Sequence, residues 1–194
     1  MARAQQQRTL KTRARLIAAS EDIIEQRGFE NLRVEDVVSL AGTAKGTFFT
    51  HFKDKDALMD LIIGGRIDQH LDTLEAGAAP NTVQEMVVAL LPLCNFMISE
   101  RYVFDLILRH SGAAAKEEIG PIAQTFDRQV KVLAQWLSDG RFRKDVPAMI
   151  LAEGIQAFAV QCMALHFCAI NSEEPMQARF SMYLDAWLNP KMAS

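Results

Sequence analysis

The chain has 194 residues, 49% hydrophobic and 23% charged, with a formal net charge of −3. That length supports a sizeable core, as one domain or as a small domain plus a larger one. Cys94, Cys162 and Cys168 are few, odd in number and without a CxxC pair, which excludes a disulfide framework and points to reduced, cytoplasmic chemistry.

The residues that favour helices outnumber the β-branched ones, and no run alternates apolar with polar for long, so the expected fold class is all-α. Taken whole, the acidity argues against a nucleic-acid binder, but the charge is unevenly placed. Met1 to Lys55 carries ten Lys or Arg against seven Asp or Glu, a surplus of +3, and the remainder is −6. A basic end on an acidic body fits a polyanion-binding head on a body that avoids polyanions.

Met1 to Gln7 reads as a polar, disordered tail without the apolar stretch of a signal peptide. In the first helix Arg8, Lys11 and Arg15 share one face while Leu16, Ile17, Ile23 and Ile24 gather on another, so its start presents cations and its end packs inward. Gly28 is expected as a left-handed cap, with Phe29 buried beyond it. Then comes RVEDVVSLAGTAKGTFFTHFKDK, Arg33 to Lys55. Val34, Val37, Val38 and Ala41 recur at helical spacing, Gly42 breaks the pattern, and Phe48 and Phe52 restart it one turn apart. Helix, tight turn and short helix follow. The second of these is too short to be a core element, and its free face carries Lys45, Thr47, Thr50 and His51 with Phe49 beside them, as entry into a DNA major groove requires.

Asp54 or Asp56 can cap a fourth helix towards Ala76, in which Gly64-Gly65 is expected to allow a bend. Residues 77–80 read as a linker. Asn81 with Gln84 resembles a capping box for a fifth helix with a kink near Pro92. A sixth starts at Ser99 or Glu100 and ends near Gly112, with His110 expected at the surface facing the helix dipole. The seventh opens at Gly120-Pro121 and runs to Gly140. An eighth follows Pro147, and Ser172 is expected to cap a ninth whose first turn carries Glu173 and Glu174.

The eighth helix has no charged residue between Glu153 and Glu173, and its apolar residues go round every side. A surface helix shows one apolar stripe, so this one needs covering twice. Its uncharged run, Gly154 to Ile170, is short for a membrane span, which needs roughly 20 apolar residues, so no membrane partner is expected. The simplest second cover is a twofold four-helix interface with another copy, using Ala159, Met163, Phe167 and Ile170 with Phe180, Tyr183 and Trp187 of the ninth helix.

The run AGTAKGTFFTHFKDKDAL, Gly28-Phe29 and the later DGRFRKDVP resemble the tetracycline-repressor (TetR) family of one-component transcriptional regulators. The likeness is specific over roughly the first 60 residues and looser beyond. Arg33 stands where the family usually has a capping Ser or Thr, leaving it to reach a phosphate, and Ala44 stands where a Ser often opens the third helix, leaving Thr43 as the candidate cap. The resemblance implies a nine-helix, two-domain architecture: a DNA-binding domain over 1–55 and an effector-binding and dimerisation domain over 56–194. It implies His51 and Lys55 as phosphate contacts beside Arg33, Thr43, Lys45, Gly46, Thr47, Phe49 and Thr50, a palindromic operator read by a homodimer, and a small-molecule effector. The candidate pocket lining is Met86, Phe96, Met97 and Phe104, with Phe126, Phe158, Cys162 and His166.

Catalysis finds no nucleophile elbow, phosphate loop, HExxH or dinucleotide fingerprint. Cys162 and His166 lie four apart, but two ligands make no metal site. No cofactor, metal or enzymatic activity is expected, and the rivals are a small helical enzyme or a protein-binding adaptor that keeps the motif without using it.

Overall fold

A computed structural model of the chain describes residues 2–111, 119–139, 141–168, 170 and 173–189, with side chains from residue 5 onward. Among these residues the structure is nine α-helices without a strand. The first three are α1 (Ala2–Arg27), α2 (Val34–Leu40) and α3 (Lys45–His51). The expected disordered tail is instead the opening of α1. Its Ala, Gln and Arg residues are good helix formers, and no Gly or Pro intervenes before Gly28, so polarity alone does not break the helix.

Gly28 and Gly42 have positive φ, 80° and 61°, and turn the chain after α1 and after α2. Leu16, Ile23, Phe29, Leu32, Val37, Phe48 and Phe52 are all buried. Phe48 is fully enclosed, with its ring 5.4 Å from Phe52 and 5.3 Å from Phe49. The caps here are weak. Arg33 and Ala44 hold the N-cap positions of α2 and α3 without a side-chain bond. Thr43 does not take over, because its hydroxyl oxygen is buried with no partner. Arg15 compensates at the other end of α2 by donating from Nη2 to the Ala41 carbonyl.

Six more helices follow: α4 (Lys55–Ala76), α5 (Val83–Met97), α6 (Arg101–His110), α7 (Pro121–Asp139), α8 (Ala148–His166) and α9 (Met176–Leu188). Asp54 caps α4 by accepting from Ala57 N at 2.8 Å. The longest packing seam joins α4 to α7. At one end Asp60 accepts from Ile122 N at 2.9 Å, at the other Arg128 grips Asp68, Asp72 and Glu75, and between them α7 begins against Gly64. The glycine pair is therefore explained at Gly64 by close helix approach, not by a bend.

Thr82, not Asn81, caps α5, accepting from Glu85 N at 3.1 Å while the Glu85 carboxylate accepts from Asn81 N at 2.7 Å. The box is the expected motif moved by one residue. His110 lies mostly buried, 3.7 Å from Asp60, and is not the surface group its helix end suggests. Pro175 precedes α9, so Glu173 and Glu174 stand ahead of its first turn. The expected Ser172 cap and the expected ends at Gly112 and Gly140 lie outside the described residues.

α8 packs on α5, α7 and α9, burying Leu151, Ala152, Ile155, Ala159, Cys162 and Met163. By length and composition alone it could cross a membrane, but a third of that window is already enclosed in the bundle. Met149 and Ile150 are exposed, as are Ala157 and Gln161, so one chain covers a single side of α8. That is the half-covered state expected from its all-round apolarity.

Candidate nucleic-acid interface

α3 has seven residues, and burying Phe48 fixes the direction of all the others. At 100° per residue, Gly46 and Thr50 point away from the core, Lys45 and Phe49 flank one side, and Thr47 and His51 flank the other. The exposures follow that wheel: Lys45, Gly46, Phe49 and Thr50 are exposed, and Thr47 and His51 are partly so. Phe49 is 49% exposed, too open for a core residue, and a Cβ at Gly46 would meet nothing within 4 Å. The protruding face therefore offers an ammonium, two hydroxyls, an imidazole and one flat ring, with backbone uncovered in its middle.

Two of these groups already have partners. Lys45 Nζ lies 2.5 Å from Glu35 Oε1 of α2, and the bond from Lys45 holds the Glu35 carboxyl below its usual range. Thr50 donates back to the Gly46 carbonyl at 3.1 Å. Both contacts are at the surface, where exchange for an external partner is cheap.

Three expected contacts lie off the protruding face of α3. Thr43 has its hydroxyl turned inward. Lys55 lies between the three-helix unit and the rest of the protein, with Nζ 4.8 Å from the Tyr102 ring centre and 3.4 Å from the Glu30 carbonyl. Partial burial pushes its ammonium pKa down. Arg33 is exposed, but at the start of α2 and not on α3. Leu10, 61% exposed, and Leu40, 56% exposed, were not singled out by sequence. Exposed leucines on so small a unit were the available signal. The cations of α1 divide: Arg8 and Lys11 are exposed, whereas Arg13 stacks over Phe52 at 5.0 Å and Arg15 is bound to Ala41.

The expected pocket residues do not surround one space. Met86, Met97, Phe104, Phe126 and Cys162 are packed in the core, Phe158 stacks on Tyr183 and Trp187, and His166 is exposed. Burial pushes the Cys162 thiol up to about 11. An open cleft of about 590 Å³ lies instead between α1, α4 and α5. Phe96 is the one expected residue in its wall, beside Glu21, Asp22, Glu25, Arg66 and His70. His70 stacks on Phe96 at 5.6 Å, and burial lowers its pKa.

Of the expected interface set, Ala159, Met163 and Phe180 are buried within the chain and present no surface. Phe167, Tyr183 and Trp187 are partly exposed, and Ile170 is 88% exposed. The reason is helical phase: α8 turns Ala159 and Met163 into its own bundle. Among the described residues no three His, Cys, Asp or Glu side chains come together as a metal site.

A three-helix unit that presents its short third helix outward is the arrangement of helix-turn-helix DNA-binding motifs. Residues 16–62 match the family described as bacterial regulatory proteins, tetR family. An uncharacterised helix-turn-helix regulator of Bacillus subtilis is 29% identical over 100 residues, 52% of this chain and 52% of that protein, so the chain spans about half the length of that relative. The repressor BepR of Brucella suis is 24% identical over 185 residues, covering 92% of this chain and 81% of its own. Among solved structures, Thermus thermophilus FadR, a TetR-family repressor in complex with lauroyl-CoA, superposes with a TM-score of 0.68 at 14% identity over 94% of this chain and 96% of its own. RolR in complex with resorcinol gives 0.67 at 17% identity over 94% and 90%. Residues 16–62 thus resemble the helix-turn-helix segment of that family, and the chain as a whole has the two-domain, all-helical fold of these solved TetR-family structures. The Bacillus subtilis and Brucella suis relatives are described as a helix-turn-helix transcriptional regulator and repressor.

Proposed function

We propose that the protein is a cytoplasmic, homodimeric repressor that binds a palindromic operator through α3 and leaves it when a small, largely apolar effector enters the body. The observation that carries the reading is the orientation of α3: one buried ring, Phe48, turns Lys45, Gly46, Phe49 and Thr50 outward together. Residues 1–55 act as the reading head and 56–194 as the regulatory body. In the head, Lys45, Thr47 and Thr50 reach base edges or phosphates, Phe49 meets a thymine methyl or a sugar, and Arg33 and His51 contact the backbone.

The uncovered side of α8, with Tyr183 and Trp187 of α9, is the face for a second copy. Two heads then enter successive major grooves about 34–36 Å apart. Support for an effector comes from the ligands held by FadR and RolR and from the soft side chains Met86, Met97, Phe126 and Cys162, which a guest can push apart. Turning occupancy from nearly full to nearly empty takes roughly 5.5 kcal/mol of differential binding, within reach of a buried small molecule.

Lys45→Ala and Thr47→Ala test the reading. Each is expected to abolish the retarded migration of duplexes that the wild type selects, with the dimer intact. A wild type that retards no palindrome and captures another protein instead would establish the adaptor.

A further inference from the structure

The turn after α1 is held by residues from three helices of the body. Beyond Gly28 the amides of Phe29 and Glu30 point the same way, and each donates to one oxygen of Glu100, at 2.8 and 3.0 Å. Gly28 serves this contact twice, since its φ of 80° favours glycine and a Cβ there would lie 2.8 Å from Glu100 Oε1. The Phe29 ring packs 6.3 Å from Phe96 of α5, with the Arg66 guanidinium of α4 5.0 Å away. Lys55 bonds the Glu30 carbonyl on the other side.

Glu100 occupies the N-cap of α6, yet its side chain makes no cap bond to its own helix. A Ser, Thr, Asp or Asn there would satisfy an orphan amide of α6 and stabilise it. The longer carboxylate forgoes that and spans to the head, where two adjacent amides take one oxygen each, a charge-assisted pairing that fixes direction. A local rule broken while a distant contact is made is the mark of a site kept for something other than helix stability.

We propose that Glu100 is a positioning residue that ties the first turn of α6 directly to the reading head, as a connection separate from the covalent one through α4. Lys55 and Arg66 belong to α4 and move with it, whereas Glu100 carries the position of α6 to the turn between α1 and α2. Displacing the start of α6 by repacking in the body then reorients the head while α4 stays fastened to α7. This rests on the reading of α3 as the DNA-contacting helix, because only then does head orientation set operator fit.

Glu100→Ser separates the two roles, since serine caps α6 and cannot reach the head. In the free, full-length protein the expected result is hydrogen exchange at the Phe29 and Glu30 amides roughly tenfold faster or more, with the amides of α2 and of the body unchanged and the melting temperature equal or higher. Residual dipolar couplings of head and body are expected to fit one alignment tensor in the wild type and to need two in the variant. Unchanged exchange at the two amides overturns the proposal, as does a single tensor for both proteins, or a uniform loss of protection across the chain, which marks plain destabilisation. None of these readouts uses DNA. Failure of the wild type to bind any duplex counts against the proposed function alone.

Discussion

Gly64 and Gly65 are neighbours in α4 with opposite surroundings, and the two alanine variants are predicted to shift stability in opposite directions. A Cβ at Gly64 would lie 2.7 Å from Pro121 Cβ, 3.0 Å from the Pro121 carbonyl carbon and 3.1 Å from Ile122 N. At Gly65 it would meet nothing within 4 Å. Each replacement gains the same helix propensity, about 1 kcal/mol, so the difference between them isolates the collision. Two of the three atoms met at Gly64 are backbone at the start of α7, and the Ile122 amide is already fixed by Asp60. They cannot swing aside as a side-chain tip would, which places the collision near the upper end of the usual overpacking cost of about 1–3 kcal/mol.

Gly65→Ala is therefore expected to stabilise by about 1 kcal/mol and Gly64→Ala to destabilise by about 2. At about 2–4 °C per kcal/mol for a chain of this length, the two melting temperatures should differ by roughly 6–12 °C. Urea and thermal unfolding at one fixed protein concentration make the comparison, since association adds to apparent stability. Equal shifts for the two variants, or a more stable Gly64→Ala, would refute the close approach of α7 to α4 on which the placement of the body depends.

Thr82→Ala removes the acceptor for Glu85 N and should cost about 1 kcal/mol in urea unfolding, whereas Asn81→Leu, which keeps its backbone bond to Glu85, should cost little. Glu35→Gln frees Lys45 from its ion pair and removes a negative charge beside α3, so the selected duplex should bind severalfold tighter in a retardation titration. Unchanged or weaker binding there would place Lys45 outside the interface. Arg128→Met is read in acid. The bond from Arg128 holds the Glu75 carboxyl below its usual 4.5. A lowered folded-state pKa adds stability that is complete above the unfolded value and is lost as pH falls through the folded one. Wild-type stability should thus fall more steeply with acidification below about pH 4.5 than that of the variant. Parallel slopes would show that Arg128 does not bind Glu75 in solution.

The head was largely legible in the sequence because its signals are local. Gly28 and Gly42 stand where the backbone turns left-handed, and Phe48 and Phe52 one turn apart fix the phase of α3, from which its exposed face follows. Helix existence was legible for the same reason. Caps were less so: Asn81 and Thr82 are both competent, and which one wins depends on where the helix settles. What stayed hidden are contacts between residues far apart in the chain. Glu100 binds amides some 70 positions earlier, His110 meets Asp60, and Lys55 lies over the Tyr102 ring. The cleft at Phe96 is built from three helices, so no one window of sequence contains it. On α8 the all-round apolarity was plain, but which flank faces its own chain was set by the helices packed on it, and Ala159 and Met163 fell on the inner side.

The central claim is that α3 is presented outward as a DNA-reading element and works in pairs. Its most direct test is to sequence the genomic fragments retained by the purified protein and to measure chains bound per duplex on the enriched site. The account predicts a palindrome whose half-sites are centred about 10 base pairs apart, or a multiple of that, bound by chains in even number, with retention lost in the Lys45→Ala, Thr47→Ala double variant. Absence of any enriched palindrome, an odd stoichiometry, or full retention by the double variant would contradict it.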